Sequence, residues 1–324
     1  MTLLLLLAAC SGGVDPKDTA GDTDAVDTDT PDDTGGNVTP ETVPLDGTCT
    51  DDVRWGAFTI DSNEDYAYVT GAVSNGVVPA AVLVNALQSG DCTIWRRENP
   101  FCDPGCEPGY TCDFDGTCVP YPAAQDLGTV TVNGLVQAVS MEPVTPGYTY
   151  FDTSVPNPPW EPGSLVTVRS GGGAYAPFTL YGVAPTALAP ASMAWTVTEG
   201  EPLAIAWDSP AGPVRTEVVL TMRIDLHGLT PSSIECVFTD DGAAEVPADV
   251  LMSLMEFGVS GFPAGDLTRR TADNAPVGDA GGCADLSLTS SRLAAITITG
   301  YTPCRQDRDC PEGETCNEAM ERCE

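Results

Sequence analysis

Twelve cysteines fall between residues 49 and 323 of this 324-residue chain: Cys49, Cys92, Cys102, Cys106, Cys112, Cys118, Cys236, Cys283, Cys304, Cys310, Cys316 and Cys323. A thirteenth, Cys10, stands apart near the N-terminus. An even set of this density in an exported chain reads as a disulfide framework of up to six bridges. Zinc is the competing use, but zinc sites mix in histidine or use paired Cys-x2-Cys knuckles. Here the one histidine is His227, and no Cys-x2-Cys spacing occurs. The twelve are therefore disulfide candidates, and neither a metal nor a cofactor is expected.

Two stretches repeat one spacing. Cys102-x3-Cys106-x5-Cys112-x5-Cys118 aligns with Cys304-x5-Cys310-x5-Cys316-x6-Cys323, and both contain Cys-x-x-Gly-x-Thr-Cys, at 106–112 and 310–316. About 20 residues bury too little surface to fold on apolar contacts alone. Two disulfides restrict the unfolded ensemble instead, each contributing about 2–4 kcal/mol. Gly109 and Gly313 are expected in a turn conformation that a side chain would hinder. The pattern resembles the EGF-like or Dickkopf-like cysteine-rich repeats of bacterial lipoproteins, which implies a stiffening or presenting role. Four cysteines allow three pairings; first with third and second with fourth is the expected one. Outside the repeats, Cys49 and Cys92 bracket one group of strands as a natural pair, which leaves Cys236 and Cys283 as a long-range pair.

The N-terminus explains the odd cysteine. Leu3-Leu4-Leu5-Leu6-Leu7-Ala8-Ala9-Cys10 resembles a lipobox, the end of a bacterial lipoprotein signal peptide. The resemblance implies a diacylglyceryl group, with palmitate-type acyl chains, on Cys10 of the mature protein. The apolar run is too short for a spanning helix, which needs about 20 residues. Ser11, rather than an aspartate, follows the cysteine and favours the outer membrane. From Ser11 to Thr48, Asp15, Asp18, Asp22, Asp24, Asp27, Asp29, Asp32 and Asp33 alternate with Thr, Gly and Pro. Such a segment buries too little to offset its ordering entropy and is expected to be a disordered spacer. An EF-hand loop is not matched, because Asp27-Thr28-Asp29 runs on to Pro31. The Asp/Thr run is similar to the spacers of uncharacterised myxobacterial, deltaproteobacterial-type outer-membrane lipoproteins.

The remainder reads as turn-rich β structure, with 33 glycines and 28 prolines. Strands are expected at 53–60, 66–73, 82–84, 92–95, 127–135, 165–168, 178–181, 194–198, 203–207, 218–224, 234–238, 286–288 and 294–299, spaced by turns as in a sandwich. Ser74-Asn75-Gly76 reads as a hairpin turn. One helix is expected at 250–257, capped by Asp249, with Val250, Leu251, Leu254 and Met255 inward. A Trp strand, a Cys before Asp240-Asp241-Gly242 and a short helix follow an order expected of the same lipoproteins. The expected fold class is all-β: antiparallel β-sandwich domains with one short helix, two small disulfide-rich repeats and the disordered spacer. The expected organisation is a signal at 1–10, a spacer at 11–48, a β domain at 49–150 with a cysteine-rich repeat inserted at 102–118, a β-sandwich at 151–302 and a C-terminal repeat at 303–324. The boundary falls in the proline-rich connector 143–162.

Charge and missing residues narrow the function. Thirteen Lys and Arg stand against 47 Asp and Glu, a net charge of −34. That opposes nucleic acid and anionic membrane surfaces, which recruit Lys and Arg. Lys17 is the single lysine, so lysine chemistry and a Walker loop are absent from the folded part. A serine triad would rest on His227 alone, without a Gly-x-Ser-x-Gly elbow. The acidic turn Asp61-Ser62-Asn63-Glu64-Asp65 offers a cation-binding alternative to a plain solvated loop. No catalytic residue is expected. The expected role is a non-catalytic, surface-tethered lipoprotein of the cell envelope, with the membrane as partner through its lipid and an envelope protein or glycan as ligand. The alternative is a carboxylate-dependent secreted hydrolase, for example on glycans, needing two carboxyl groups about 5–9.5 Å apart.

Overall fold

The computed structural model describes residues 38–211, 215–224 and 232–324. Cys10, Lys17, most of the Asp/Thr run and His227 lie outside the described residues. Strands β1 (Arg54–Ser62) and β2 (Ala67–Val73) form an antiparallel hairpin through the acidic turn. β2 buries Ala67, Val69, Gly71 and Val73 and half-exposes the residues between, the period of a strand with one face in a core. Ser74-Asn75-Gly76 does not close a second hairpin. Ser74 bridges Ala124 and the Asn75 N–H donates to the Ala123 carbonyl, so the chain leaves the sheet there. It returns as β3 (Leu83–Ser89) and β4 (Cys92–Arg97), then enters the first cysteine-rich repeat with its hairpin of β5 (Tyr110–Cys112) and β6 (Cys118–Pro120).

β7 (Val130–Asn133), β8 (Val139–Met141), β9 (Tyr150–Asp152), β10 (Leu165–Ser170) and β11 (Thr179–Val183) follow. Four of them form a sheet in the order β11-β10-β7-β8, while β9 adds to the edge of β2. Next come β12 (Ala194–Val197), β13 (Leu203–Ala206), β14 (Glu217–Arg223), β15 (Ser232–Thr239), β16 (Ala243–Val246), helix α1 (Ala248–Glu256), β17 (Ala264–Val277) and β18 (Gly282–Ile298). The second repeat carries β19 (Cys316–Asn317) and β20 (Arg322–Cys323).

The long strand β18 organises the molecule. β17 runs antiparallel along it from Gly282 to Ala295, β1 lies parallel to its first half and β12 parallel to its last four residues. The closing strands expected at 286–288 and 294–299 are thus one strand. The full sheet has ten strands, in the order β3-β4-β15-β14-β17-β18-β1-β2-β9 with β12 also on β18. This order corrects the division at residue 150. β1 pairs with β18 and β4 with β15, both from beyond residue 230, and Thr39–Glu324 is one compact unit. The proline-rich connector does not separate domains, because Val155 and Trp160 are buried in the core and the Trp160 indole donates to the Pro185 carbonyl at 3.0 Å.

The architecture is a β-sandwich. Phe58, Ile60, Val69, Leu286 and Leu288 of the wide sheet pack against Val130, Val132, Val166, Val168 and Leu180 of the four-stranded sheet. Farther along, Ile94, Leu220, Met222, Ile234 and Leu267 share a second core with Leu203, Ile205 and Val246 of the β13–β16 pair and with α1. The helix buries Val250, Leu251 and Leu254, each contributing about 1.5–3 kcal/mol on full burial. Its N-cap is Pro247; Asp249 sits one residue inside and accepts the Val250 N–H at 2.9 Å, near the positive end of the helix.

The disulfides join Cys49 to Cys283 and Cys92 to Cys236. This replaces the expected Cys49–Cys92 and Cys236–Cys283 pairs. Cys92 and Cys236 stand directly opposite each other in β4 and β15, and Cys49 precedes β1, whose Arg54 lies beside Cys283. Sheet neighbours, not sequence brackets, decide the pairing. Both repeats join first to third and second to fourth: Cys102–Cys112 with Cys106–Cys118, and Cys304–Cys316 with Cys310–Cys323. Gly109 and Gly313 both take positive φ, 91° and 96°, at the same turn.

The spacer also ends earlier than residue 48. The Arg215 guanidinium donates to the carbonyls of Pro40 and Val43, and Val43 is buried. Asn274 donates to the carbonyls of Asp46 and Gly47, and the Gly47 N–H reaches the Ala272 carbonyl at 3.3 Å. β14 stops opposite Arg270. The 43–48 segment therefore covers the β17 edge that β14 leaves open, an edge otherwise prone to pair with other chains.

Candidate binding surface

Arg269 occupies a core-facing position of β17 and is 1% exposed. Its guanidinium grips Asp240 twice, Nε to Oδ2 at 2.6 Å and Nη2 to Oδ1 at 2.9 Å. It also donates to the Thr186 hydroxyl and to the Ala187 and Asp208 carbonyls. Asp240, fully buried, further accepts the Trp207 indole N–H at 2.7 Å and the Thr216 hydroxyl at 2.5 Å. Gly242 bends the chain back so that its carbonyl accepts the Trp207 backbone N–H, at a φ of 108° that excludes most side chains. The Trp strand and the Asp-Asp-Gly turn are thus one buried network, which is structural: its donors and acceptors are used internally.

The opposite face of the wide sheet is different. Tyr68, Asp61, Thr289, Arg270 and Glu217 stand in register across β2, β1, β18, β17 and β14. The next row but one is Leu293, Asp266, Thr221, Glu235 and Thr93, across β18, β17, β14, β15 and β4. These residues alternate with those of the core and include small hydroxyls and charges. They bond sideways: Thr289 to Asp61 at 2.7 Å, Ser291 to Asp61 at 3.0 Å, Thr221 and Thr268 to Asp266, and Arg270 to Glu217 at 2.6 Å. The sheet therefore presents a preorganised polar face.

Two of the concavities among the described residues border this face. One, of about 510 Å³, is lined by Asp51, Asp52, Arg54, Trp95 and Glu235. Arg54 precedes the bulk of β1, whereas Trp95 and Glu235 lie on β4 and β15, four and three strands from β18 and its neighbour β1 in the opposite direction. The cavity thus brings residues before and at the start of β1 together with residues of β4 and β15. The other, of about 410 Å³, sits at the acidic turn between Tyr66 and Tyr68 on one side and Ser291, Arg292 and Leu293 on the other. Tyr66 and Tyr68 are two apart on β2 and its approach, with ring centroids 6.0 Å apart at 38°. Phe151 stands opposite Thr70 on the same face, and Tyr66, Phe151 and Leu293 are 56%, 59% and 86% exposed.

The turn does not gather its carboxylates for a cation. Asp61 faces Thr289 and Ser291, while the Asn63 side chain accepts the N–H groups of Asp65 and Tyr66 to shape the loop. Among the described residues, the metal-sized groups of ligand atoms are built on Cys49, Cys102, Cys106, Cys112, Cys283, Cys304, Cys310 and Cys323, all spent in disulfides. Two carboxyls are pushed above the usual range, chiefly by burial. Asp273 accepts N–H groups from Tyr181 at 2.7 Å and Asp46 at 3.2 Å. Asp285 accepts the Cys49 N–H at 2.6 Å and pairs with Arg54 at 2.7 Å. Burial likewise raises the Tyr68 phenol, with the Asp61 charge adding to it.

Sequence reasoning found the acidic turn but missed Trp95, Phe151, Glu235 and Leu293 as surface residues. The signal shared by Trp95, Phe151 and Leu293, an aromatic or apolar residue at an outward position of a strand, was readable for Trp95; Glu235 is an ordinary outward charge. No helix among the described residues is long and apolar enough to cross a membrane.

No protein-family model matches the chain, and no curated protein matches it. Among solved structures, the chain is similar to the FN1–FN3 domains of chicken CNTN1 at 6% identity, covering 66% of this chain and 65% of that one, with a TM-score of 0.17. It is also similar to a Ca2+-stabilized adhesin of an ice-binding Antarctic bacterium (13% identity, 73% and 71% covered, TM-score 0.17) and to a 1.5-MDa bacterial ice-binding adhesin (11% identity, 79% and 99% covered, TM-score 0.16). At these TM-scores no role passes from them to this chain.

Proposed function

We propose that this chain is a non-catalytic binding protein, held at the cell envelope by a lipid on Cys10 and engaging its partner through the polar face of the wide sheet. The observation that carries the reading is the cleft at the acidic turn, where exposed Tyr66 and Leu293 face each other across a preorganised polar surface. Exposed apolar groups rimmed by polar ones mark interaction sites. The two carboxyls with raised affinity for protons are engaged by backbone N–H groups of the 46–49 segment, which supports a structural rather than a catalytic use for them.

Cell fractionation tests the tether. Wild type should sediment with outer membrane, and Cys10→Ser should move to the soluble fraction. The soluble Cys10→Ser chain, added to isolated envelopes, should bind saturably. Membrane retention of Cys10→Ser, or binding that never saturates, would contradict the reading.

A further inference from the structure

We propose that the cleft at the acidic turn takes a glycan bearing primary ammonium groups, a glucosamine-type polymer, stacked on Tyr66 and Tyr68. The inference rests on the binding role proposed above and names its ligand class. Three observations lead to it.

The first is the aromatic strip. Tyr66 and Tyr68 project from one side of the same strand and its approach, and Phe151 continues the line past Thr70 at the edge of the sheet. Leu293 makes the far wall. Tyr66 and Phe151 are exposed and Tyr68 is half-buried; flat rings along a strand suit a chain of sugar rings, whose C–H faces are apolar while their edges carry hydroxyls. Such rings are rigid and lose little conformational entropy on binding.

The second is charge. Glu64 and Asp65 are exposed at the mouth and Asp61 lies in the floor, against one cation, Arg292. Together with the net charge of −34, this repels anionic glycans. A ligand ammonium gains charge-assisted hydrogen bonds from the carboxylates and cation–π attraction from the tyrosines. An uncharged glycan can donate hydroxyl groups to those carboxylates but brings no opposing charge, so it gains less there than an ammonium does.

The third is that Glu64 is held loosely. Its contact with Arg292 is 3.7 Å, longer than a hydrogen bond, and Arg292 donates to the Ser291 carbonyl at 2.7 Å instead. Glu64 is therefore able to turn to a ligand without breaking a close pair.

Titration calorimetry on the full chain carrying Cys10→Ser tests the proposal with three probes: a β-1,4-linked glucosamine hexamer, the N-acetylglucosamine hexamer and hexalysine. The glucosamine hexamer should bind, with the acetylated hexamer at least about tenfold weaker. Tyr66→Ala should weaken binding about tenfold, and Glu64→Gln should weaken it several-fold and flatten its salt dependence. Both residues are exposed, so folding is not at stake. Equal binding of the acetylated hexamer, equal binding of hexalysine, or unchanged affinity in both variants would overturn the proposal. Absent hexamer binding with saturable envelope binding would refute the ligand class alone; absence of both would refute the binding role itself.

Discussion

Asp240→Ala should lower the free energy of unfolding by about 3–5 kcal/mol, because it strands one charge of a buried pair. Arg269, 1% exposed, would keep its charge with only the Thr186 hydroxyl and the carbonyls of Thr186, Ala187 and Asp208 as partners, all uncharged. The Trp207 indole N–H would lose its acceptor as well. Single domains hold only about 5–15 kcal/mol in total, so the variant should lose a large share of its stability. The double variant Asp240→Leu/Arg269→Met should recover much of the loss, since it removes the charge rather than stranding it. Denaturant unfolding followed by tryptophan fluorescence measures both. A loss below about 1 kcal/mol in the single variant would show that the network is not buried as described.

The second large effect belongs to Cys49–Cys283. This bridge spans 234 residues, against 12 for Cys304–Cys316. On the chain-entropy model, a loop of that length is worth about 5 kcal/mol and the short one about 3. Replacing Cys49 and Cys283 together by serine should therefore lower the unfolding midpoint more than replacing Cys304 and Cys316. It should also loosen residues 39–48, whose hold on the β17 edge continues directly into Cys49. Thermal melts compare the two variants, and limited proteolysis reads the N-terminal segment. An equal or smaller effect for Cys49 and Cys283 would mean that the bridge does not close the sheet.

Much of the β content was legible because β2 and β15 alternate cleanly between core and surface. β17 was not. Its core-facing positions include Arg269, Thr271 and Asp273, residues that a hydrophobic pattern assigns to solvent. Their partners, Asp240, the Val183 carbonyl and the Tyr181 N–H, come from 29 to 92 residues away. Local sequence cannot report a polar residue satisfied at that range. The missing strand hid the sheet order, while the expected pairing of the two long-range disulfides rested on sequence brackets, which cannot report that β4 lies beside β15 and β1 beside β18. The cleft was half legible for the same reason. Asp61 to Tyr68 read as an acidic turn entering a strand, but its other wall, Ser291 to Leu293, arrives from the end of the chain. The cysteine-rich repeats were legible in full, since their pairing is set within about a dozen residues.

Non-reducing peptide mapping tests most directly the central claim, that strands from both ends of the chain form one sheet with one polar face. The account predicts a fragment joining Cys49 to Cys283 and another joining Cys92 to Cys236. Fragments joining Cys49 to Cys92 and Cys236 to Cys283 would contradict it, and with it the single sheet on which the binding surface is built.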